Sequence, residues 1–252
     1  MNRESLSLGL RTKKFGRNII YFDVIGSTNE EAKKAIQKEV LPEGTVYISA
    51  RQTAGKGTNN NTWISNNIEG LLFSLVIDFD EKIDQFIMFL PAISLVNVLK
   101  REYDIKAHVK WPNDVLIGNK KVCGILCEGI AQKQLIIGVG VNVNHNSFPD
   151  AIKSKAISIF QATGKRQRIE NLFQSLMYEM ESIFYEKKDL RSEWLKKTKM
   201  IGKKITAKKR GIEISVEVVG ISKEGYLIVQ NSDGEKEEWR SSTHLDIYSS
   251  YA

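Results

Sequence analysis

Blocks of hydrophobic residues along the chain predict buried strands separated by polar connections. Residues 45–50 (TVYISA) and 71–77 (LLFSLVI) are apolar and rich in β-branched side chains, as in buried strands. Between them lies a polar, glycine-containing segment, residues 51–70, which is too long for a hairpin turn. Loops of this length in ordered domains are usually functional or mobile, so this one is a candidate for function.

Further strands and three helices follow from the same pattern. A helix is predicted to begin near Ser27, because Ser27-Thr28-Asn29-Glu30-Glu31 offers two overlapping capping boxes. Residues 86–103 have helical length and periodicity, and so do residues 169–198, with one interruption at Lys187-Lys188-Asp189. Between these helices, VLIG, KVCGILCEG and LIIGVGVNVN are typical of strands.

From Lys199 onward the pattern changes to short alternating strands with glycine turns, and Asp233-Gly234 is a hairpin signal. A tail of this kind is typical of a small β-barrel. The predicted fold class is therefore α+β. A mixed β-sheet packed with helices should occupy residues 1–198, and a small SH3-like β-barrel domain should occupy residues 199–252.

Composition narrows the location of the protein but not its activity. The chain has 252 residues, of which 42% are hydrophobic, so it can form a proper core. No apolar run is long enough for a signal peptide or for the roughly 20-residue membrane span, and Cys123 and Cys127 resemble core residues more than a disulfide framework. We therefore expect a cytoplasmic protein.

The formal net charge of +7 permits an anionic partner without naming one. Much of the excess lies between Lys196 and Arg210. A solvated basic face is the favoured interpretation of this run, and phosphate binding remains the alternative.

Several common kinds of site are not supported. The three histidines and two cysteines are scattered without zinc-ligand spacing, and no serine-hydrolase elbow is present. Gly55-Lys56-Gly57 resembles a P-loop, but glycine follows the lysine where serine or threonine is required. Gly138-Val139-Gly140 lacks the third glycine of a dinucleotide fingerprint.

Four polar islands remain within otherwise apolar, strand-like sequence. They are Ser27-Thr28-Asn29, residues 52–63, Lys110-Trp111-Pro112-Asn113-Asp114, and Lys121 with Gly124, Glu128 and Asn142. Each one alone is compatible with a surface turn or a helix cap. Together, and in this order, they resemble the catalytic domain of biotin–protein ligases. The resemblance is carried by GSTNEEAK, RQTAGKGTNNNTWIS, KWPNDVLIGNKKVCGILCE and IIGVGVNVN, within residues 18–144, and the β tail fits the family's small C-terminal barrel.

The resemblance implies an ATP-dependent ligase that converts biotin to biotinyl-5′-AMP and transfers biotin to a lysine of a biotin carboxyl carrier domain. It implies Mg²⁺ with the ATP phosphates, and no metal-binding residues are assigned. Lys121, Asp114 and Lys56 are the implied catalytic residues. The implied biotin contacts are Ser27, Thr28, Asn29, Gln52, Gly55, Lys56, Lys121, Gly124 and Leu126. The implied ATP contacts are Gly57, Trp63, Lys110, Asn113, Lys121 and Asn142.

Some of these roles have structural alternatives. Ser27 or Thr28 could simply cap a helix, and Trp63 could be a core residue that closes a loop. Asp114 is the candidate general base for the attacking lysine, slightly favoured over a structural ion pair with Lys110. Asn142 could be a polar side chain at the end of a strand.

The loop departs from the family, which usually has arginines at the positions of Thr58 and Asn61 and a glycine at Asn60. Lys56 replaces a further arginine, which keeps the charge but loses the bidentate fork. A more weakly held adenylate, or cations supplied by another segment, would follow.

Two rival functions stay open, and a third is not expected. A lipoate ligase or octanoyl transferase shares the fold, and a non-catalytic biotin binder would tolerate the altered loop. Some family members carry a DNA-binding winged helix, but fewer than 20 residues precede the strand IIYFDVI. We therefore expect the short form of the family, with no sequence-specific DNA binding. The sequence leaves open whether the protein is a monomer or a homodimer.

Overall fold

The computed structural model describes residues 1–58, 61–65, 68–79, 85–131, 133–209, 212–240 and 245–247. A seven-stranded mixed sheet forms the centre of the main domain. In chain order its strands are β1 (Ile19–Ile25), β2 (Val46–Gln52), β3 (Gly70–Asp78), β4 (Ala107–Lys110), β5 (Asp114–Ile117), β6 (Lys120–Ala131) and β7 (Gln134–Asn142). The spatial order is β1-β2-β3-β7-β6-β5-β4, with β1 and β2 parallel and the other neighbours antiparallel.

Helices cover both faces of this sheet. They are α1 (Arg3–Ser7), α2 (Thr28–Ile36), α3 (Leu90–Tyr103) after a 3₁₀ turn (Gln85–Phe89), α4 (Ile159–Thr163), α5 (Ile169–Tyr185) and α6 (Leu190–Lys197). In β3, Leu75 and Ile77 belong to the large core that includes α3 and α5, whereas Val76 packs in the smaller cluster with α2. Because both faces are buried, these strands are continuous apolar runs and do not alternate with polar residues.

The start of α2 differs from the prediction. Ser27 is the extended N-cap residue, but its side chain makes no capping hydrogen bond, so the predicted capping boxes are wrong. The side-chain oxygen of Gln52, at the end of β2, accepts a hydrogen bond from the Thr28 backbone N–H at 2.7 Å. The cap therefore comes from a distant strand, and the same contact fixes the helix terminus against the sheet.

The predicted tail strands form a second, antiparallel sheet. They are β8 (Lys204–Lys209), β9 (Ile212–Ile221), β10 (Leu227–Gln230), β11 (Lys236–Trp239) and β12 (Leu245–Ile247), in the spatial order β11-β10-β9-β8-β12. In the described part of the chain β11 and β12 stand at opposite edges, so the expected barrel is an open sheet. The division of the chain at residues 198 and 199 stays a prediction.

The tail sheet contacts the main domain next to one of the polar islands. Trp111, which follows β4, donates its indole N–H to the Gly225 carbonyl at 3.0 Å. Arg191 of α6 donates to the Ile221 carbonyl at 2.9 Å. Within the described residues, no helix has the length and apolarity needed to cross a membrane.

The basic segment has mixed surroundings. Lys196 and Lys197 form ion pairs with Glu193 at 2.9 and 2.6 Å, and Ile205 is buried. Lys199 is exposed, and Arg210 lies outside the described residues. These contacts fit the interpretation as a solvated face.

Candidate active site

A pocket with an empty volume of about 460 Å³ lies where the N-terminus of α2 meets β6 and β7. We call it the smaller pocket. Strands β6 and β7 provide one wall, and the loop after β2 provides the other. Its lining residues include most of the predicted biotin contacts: Ser27, Thr28, Asn29, Gln52, Lys56, Lys121, Gly124 and Leu126.

A chain of hydrogen bonds holds the polar side chains at the floor of this pocket. Ser74 of β3, which is fully buried, lies 2.7 Å from the Thr28 hydroxyl and 2.5 Å from Asn29 Oδ1. Asn29 Nδ2 donates to the Leu126 carbonyl at 3.2 Å and to the Glu128 carboxylate at 3.0 Å. The sequence did not identify Ser74, although a serine inside an apolar strand was its one visible signal.

Counting donors and acceptors limits what Asn29 can offer a ligand. A side-chain amide has two N–H donors and one carbonyl oxygen. Both N–H donors of Asn29 are used by Leu126 and Glu128. Its amide oxygen can only accept, so the Ser74 hydroxyl donates to it. Asn29 is therefore mainly a fixed part of the pocket floor, with one lone pair left for a ligand N–H.

Since the resemblance implies that biotin binds at Thr28 and Asn29, replacing Ser74 by alanine is expected to weaken biotin binding by about tenfold, because the partners of the lost hydroxyl are left unsatisfied. Ser94→Ala is the matched control, since Ser94 is equally buried but has no hydrogen-bond partner among the described residues. Titration calorimetry with biotin measures both variants. Equal biotin affinities in the two variants would contradict a positioning role for Ser74.

Three strand glycines create the space for the site. A Cβ atom on Gly140 would lie 2.5 Å from the Trp63 ring, and one on Gly124 would lie 2.9 Å from the same ring. A Cβ atom on Gly138 would lie 2.8 Å from Asn29 Cγ. Real Cβ atoms do not approach so closely. The Gly138-Val139-Gly140 run, which is not a dinucleotide motif, therefore clears one face of β7 for Asn29 and Trp63.

Lys121 lies at the boundary between the smaller pocket and a larger one, and it lines both. Its ammonium group is 2.6 Å from Asp114 Oδ1, an oxygen that is shielded from solvent. It also lies 5.5 Å from the centre of the Trp63 ring, within the range of a cation–π contact. The ion pair of Asp114 is thus with Lys121, while Lys110 is its neighbour across the β4–β5 pairing.

The larger pocket has an empty volume of about 1510 Å³ and is open to solvent. Trp63 and Asn142 line it, as does a stacked pair formed by His145 and Phe148, whose ring centres are 5.2 Å apart. Burial lowers the pKa of His145, so its ring is predominantly neutral near pH 7. His145 and Phe148 lie beyond the matched strand motif, and nothing in the sequence pattern pointed to them.

The loop after β2 faces both pockets. Gly57 and Thr58 line the smaller pocket, and Asn61 lines the larger one. Lys56 lines the smaller pocket, but its ammonium group is paired with Glu30 at 2.6 Å, which raises its pKa. Asn60 lies outside the described residues.

Three predicted contacts line neither pocket in the described structure. Gly55 is a buried residue of the loop, and a Cβ atom there would meet the Trp63 backbone oxygen at 2.6 Å. Asp114 is paired with Lys121, which lines both pockets. Lys110 is partly buried, which lowers its pKa; the charges of Lys121 and Lys155 act in the same direction, and Asp114 opposes them.

Comparison with known proteins shows the family of the chain. Residues 21–144 match the Biotin/lipoate A/B protein ligase family, and residues 200–249 match the biotin protein ligase C-terminal domain. The bifunctional ligase/repressor BirA of Bacillus subtilis is 30% identical over 259 residues, covering 97% of this chain and 79% of that protein. The chain belongs to the biotin protein ligase family.

The chain is also similar to another ligase and to a solved ligase structure. The biotin–[acetyl-CoA-carboxylase] ligase of Mycobacterium tuberculosis is 25% identical, covering 79% of this chain and 76% of that protein. The biotin protein ligase from Aquifex aeolicus, solved in complex with biotin and ATP, has a TM-score of 0.75 and 26% identity, covering 92% of this chain and 99% of that chain. The predicted family, fold class and ligase activity are confirmed. The roles of individual residues and the absence of sequence-specific DNA binding stay predictions.

Proposed function

We propose that this ligase joins biotin and ATP into biotinyl-5′-AMP at Lys121 and then transfers the biotinyl group to a lysine of a biotin carboxyl carrier domain. The observation that carries the proposal is the position of Lys121, which lines the smaller and the larger pocket together. A reaction between two anions needs a fixed cation at their meeting point. The name of the Mycobacterium tuberculosis relative supports a carboxylase as the source of the carrier.

In this proposal the smaller pocket binds biotin. The urea edge of biotin faces the hydroxyl groups of Ser27 and Thr28 and the side chain of Gln52, and the apolar rings of biotin pack against Gly124 and Leu126. The pocket combines fixed polar side chains with an apolar wall, as small-ligand sites do.

The larger pocket binds ATP, with the adenine ring against Trp63. Asn142 lines this pocket and donates to the Lys121 carbonyl at 3.3 Å, so it also holds the strand that carries the lysine. Asn113 lines the smaller pocket and donates to the Ile125 carbonyl at 2.5 Å, which favours a supporting role. Mg²⁺ accompanies the phosphates of ATP as part of the substrate. The described residues include no cluster of three metal-ligating side chains.

The chemistry takes two steps. A carboxylate oxygen of biotin attacks the α-phosphorus, the bond from that phosphorus to the bridging oxygen breaks, and pyrophosphate leaves. The Lys121 ammonium group stabilises the charge that gathers where the two anions meet. The neutral amine of the carrier lysine then attacks the carbonyl carbon of the anhydride, the bond from that carbon to the phosphate oxygen breaks, AMP leaves, and the attacking nitrogen gives its proton to water.

Asp114 is better placed to orient Lys121 than to act as the base. Its carboxylate is paired with the Lys121 ammonium group at 2.6 Å, and Asp114 lines neither pocket in the described structure. Asp114→Asn is therefore expected to slow both adenylate formation and biotin transfer by about tenfold or more. Rates of the two half-reactions, measured separately, test this. A defect confined to the transfer step would instead assign the base role to Asp114.

The test of the proposed function is incubation with ATP, a purified carrier domain and either labelled biotin or labelled lipoate. The proposal predicts label from biotin on one carrier lysine and little or none from lipoate. Preferential transfer of lipoate would support the rival acyltransferase. Binding of biotin without any release of pyrophosphate would indicate a non-catalytic binder.

A further inference from the structure

A second lysine lines the larger pocket beside Lys121. Lys155 is the last residue of a turn (residues 151–155), and the chain from there pairs with the start of β6. The Lys121 backbone N–H donates to the Lys155 carbonyl at 2.7 Å, and the Ile157 N–H donates to the Lys121 carbonyl at 3.0 Å. Ala156 is the parallel bridge partner of Lys121 and is buried. The backbone of Lys155 is therefore fixed next to the residue proposed to act at the reaction centre.

Lys155 belongs to a group of three lysines. Its charge and that of Lys121 both act on Lys110, lowering its pKa after the larger effect of burial, and Asp114 opposes them. The Asp114 carboxylate lies at ion-pair distance from Lys121. Like charges raise the free energy of the folded protein unless an anion offsets them. This group is therefore suited to a ligand with several negative charges.

Lys155 also differs from its nearest lysine along the chain. Lys153 forms an ion pair with Asp150 at 2.7 Å. Lys155 is exposed at the pocket and has no ion-pair partner among the described residues. Its ammonium group is thus available to a ligand in the larger pocket.

The loop after β2 brings little positive charge to this pocket. Asn61, the loop residue that lines it with Lys155, is neutral, and so is Thr58 in the smaller pocket. Lys56 is occupied by Glu30. The phosphate charges of a nucleotide in the larger pocket must therefore be met from another segment.

We infer that Lys155 is a substrate-binding residue that holds the phosphates of ATP in the larger pocket, in place of a cation from the loop. The inference rests on the proposed binding of ATP there. Lys155 contacts the phosphates on the side away from biotin, and Lys121 contacts the α-phosphate and the biotin carboxylate. Lys155 thus supplies the positive charge that the neutral loop residues Thr58 and Asn61 do not.

The test compares Lys155→Met with Lys153→Met, which removes a neighbouring lysine that does not line the pocket. Lys155→Met is expected to raise the KM for ATP in biotin-dependent pyrophosphate exchange by about tenfold. Lys153→Met should leave it unchanged, and biotin affinity should stay within about twofold in both, which shows that the variants fold. An ATP KM for Lys155→Met equal to that of Lys153→Met would overturn the inference.

A second test places a positive charge in the loop of the Lys155→Met variant and measures its ATP affinity. Because Asn61 lines the same pocket, Asn61→Arg added to Lys155→Met is expected to recover at least about a third of the lost ATP affinity. No recovery would contradict the assignment of both positions to the same phosphates. The wild-type exchange rate distinguishes failure of the proposed function from failure of this inference. A wild type without exchange activity would refute the proposed function. An active wild type whose KM for ATP is unchanged by Lys155→Met would refute only the role of Lys155.

Discussion

Replacing Lys121 by alanine is expected to reduce biotin-dependent ATP–pyrophosphate exchange by roughly 100- to 1000-fold, the usual effect of removing a group that stabilises developing charge. Lys121 is the lysine that lines both pockets in the described structure, so its loss leaves no fixed cation at the proposed meeting point of the two anions. The substitution also leaves the shielded Asp114 carboxylate without its partner, which adds a further repulsive charge beside the substrates.

Lys120→Ala is the matched control for this experiment. Lys120 is the preceding residue of the same strand and is exposed. The exchange rate of Lys120→Ala should stay within about twofold of wild type, since surface substitutions of this kind have small effects. Biotin binding, measured separately, shows whether the Lys121 variant is folded. Similar exchange rates for Lys120→Ala and Lys121→Ala would remove Lys121 from the centre of the mechanism.

Adding a single methyl group at Gly138 or Gly140 is expected to impair the two pockets unequally. Alanine at position 138 would overlap the Asn29 side chain, and alanine at position 140 would overlap the Trp63 ring. Overpacking of this kind costs about 1–3 kcal/mol, which corresponds to losses in affinity of roughly 5- to 150-fold. Gly138→Ala should therefore weaken biotin binding more than ATP binding. Gly140→Ala should weaken ATP binding more strongly, because the proposal places the adenine on Trp63.

Gly220→Ala provides the control for the effect of alanine in a strand. Gly220 lies in β9, and a Cβ atom there would find its nearest heavy atom at 3.6 Å, an ordinary contact. Dissociation constants for biotin and for a non-hydrolysable ATP analogue measure all three variants. Equal losses of both ligands in Gly138→Ala and Gly140→Ala would show that the two pockets do not act as separate subsites.

Most of the fold was predictable because it depends on local sequence. Strands β3 and β7 are mostly apolar, since α2 covers one face and α3 and α5 cover the other. The interruption between α5 and α6 also appeared where the charged run predicted it. Contacts between distant segments were not predictable. The cap of α2 comes from Gln52, and the openness of the tail sheet depends on which strands pair.

The candidate site was predictable where residues form a contiguous motif, and less so where single residues act from neighbouring strands. Residues 27–29 and the segment around Lys121 do meet in one pocket. Ser74, Gly138 and Gly140 are short interruptions in apolar strands, and their purpose appears only when α2 and Trp63 pack on them. Lys155 had no signal in the sequence, because its relation to Lys121 depends on the pairing of two segments far apart in the chain.

The most direct test of the central claim is to recover the product of the first step. The ligase is incubated with labelled biotin and with ATP labelled at the α-phosphate, without a carrier domain, and the bound nucleotide is then identified. The account predicts that pyrophosphate forms only when biotin is present. It also predicts that an amount of biotinyl-5′-AMP equal to that of the pyrophosphate stays bound to the protein. Release of ADP, or pyrophosphate formation that does not depend on biotin, would contradict it.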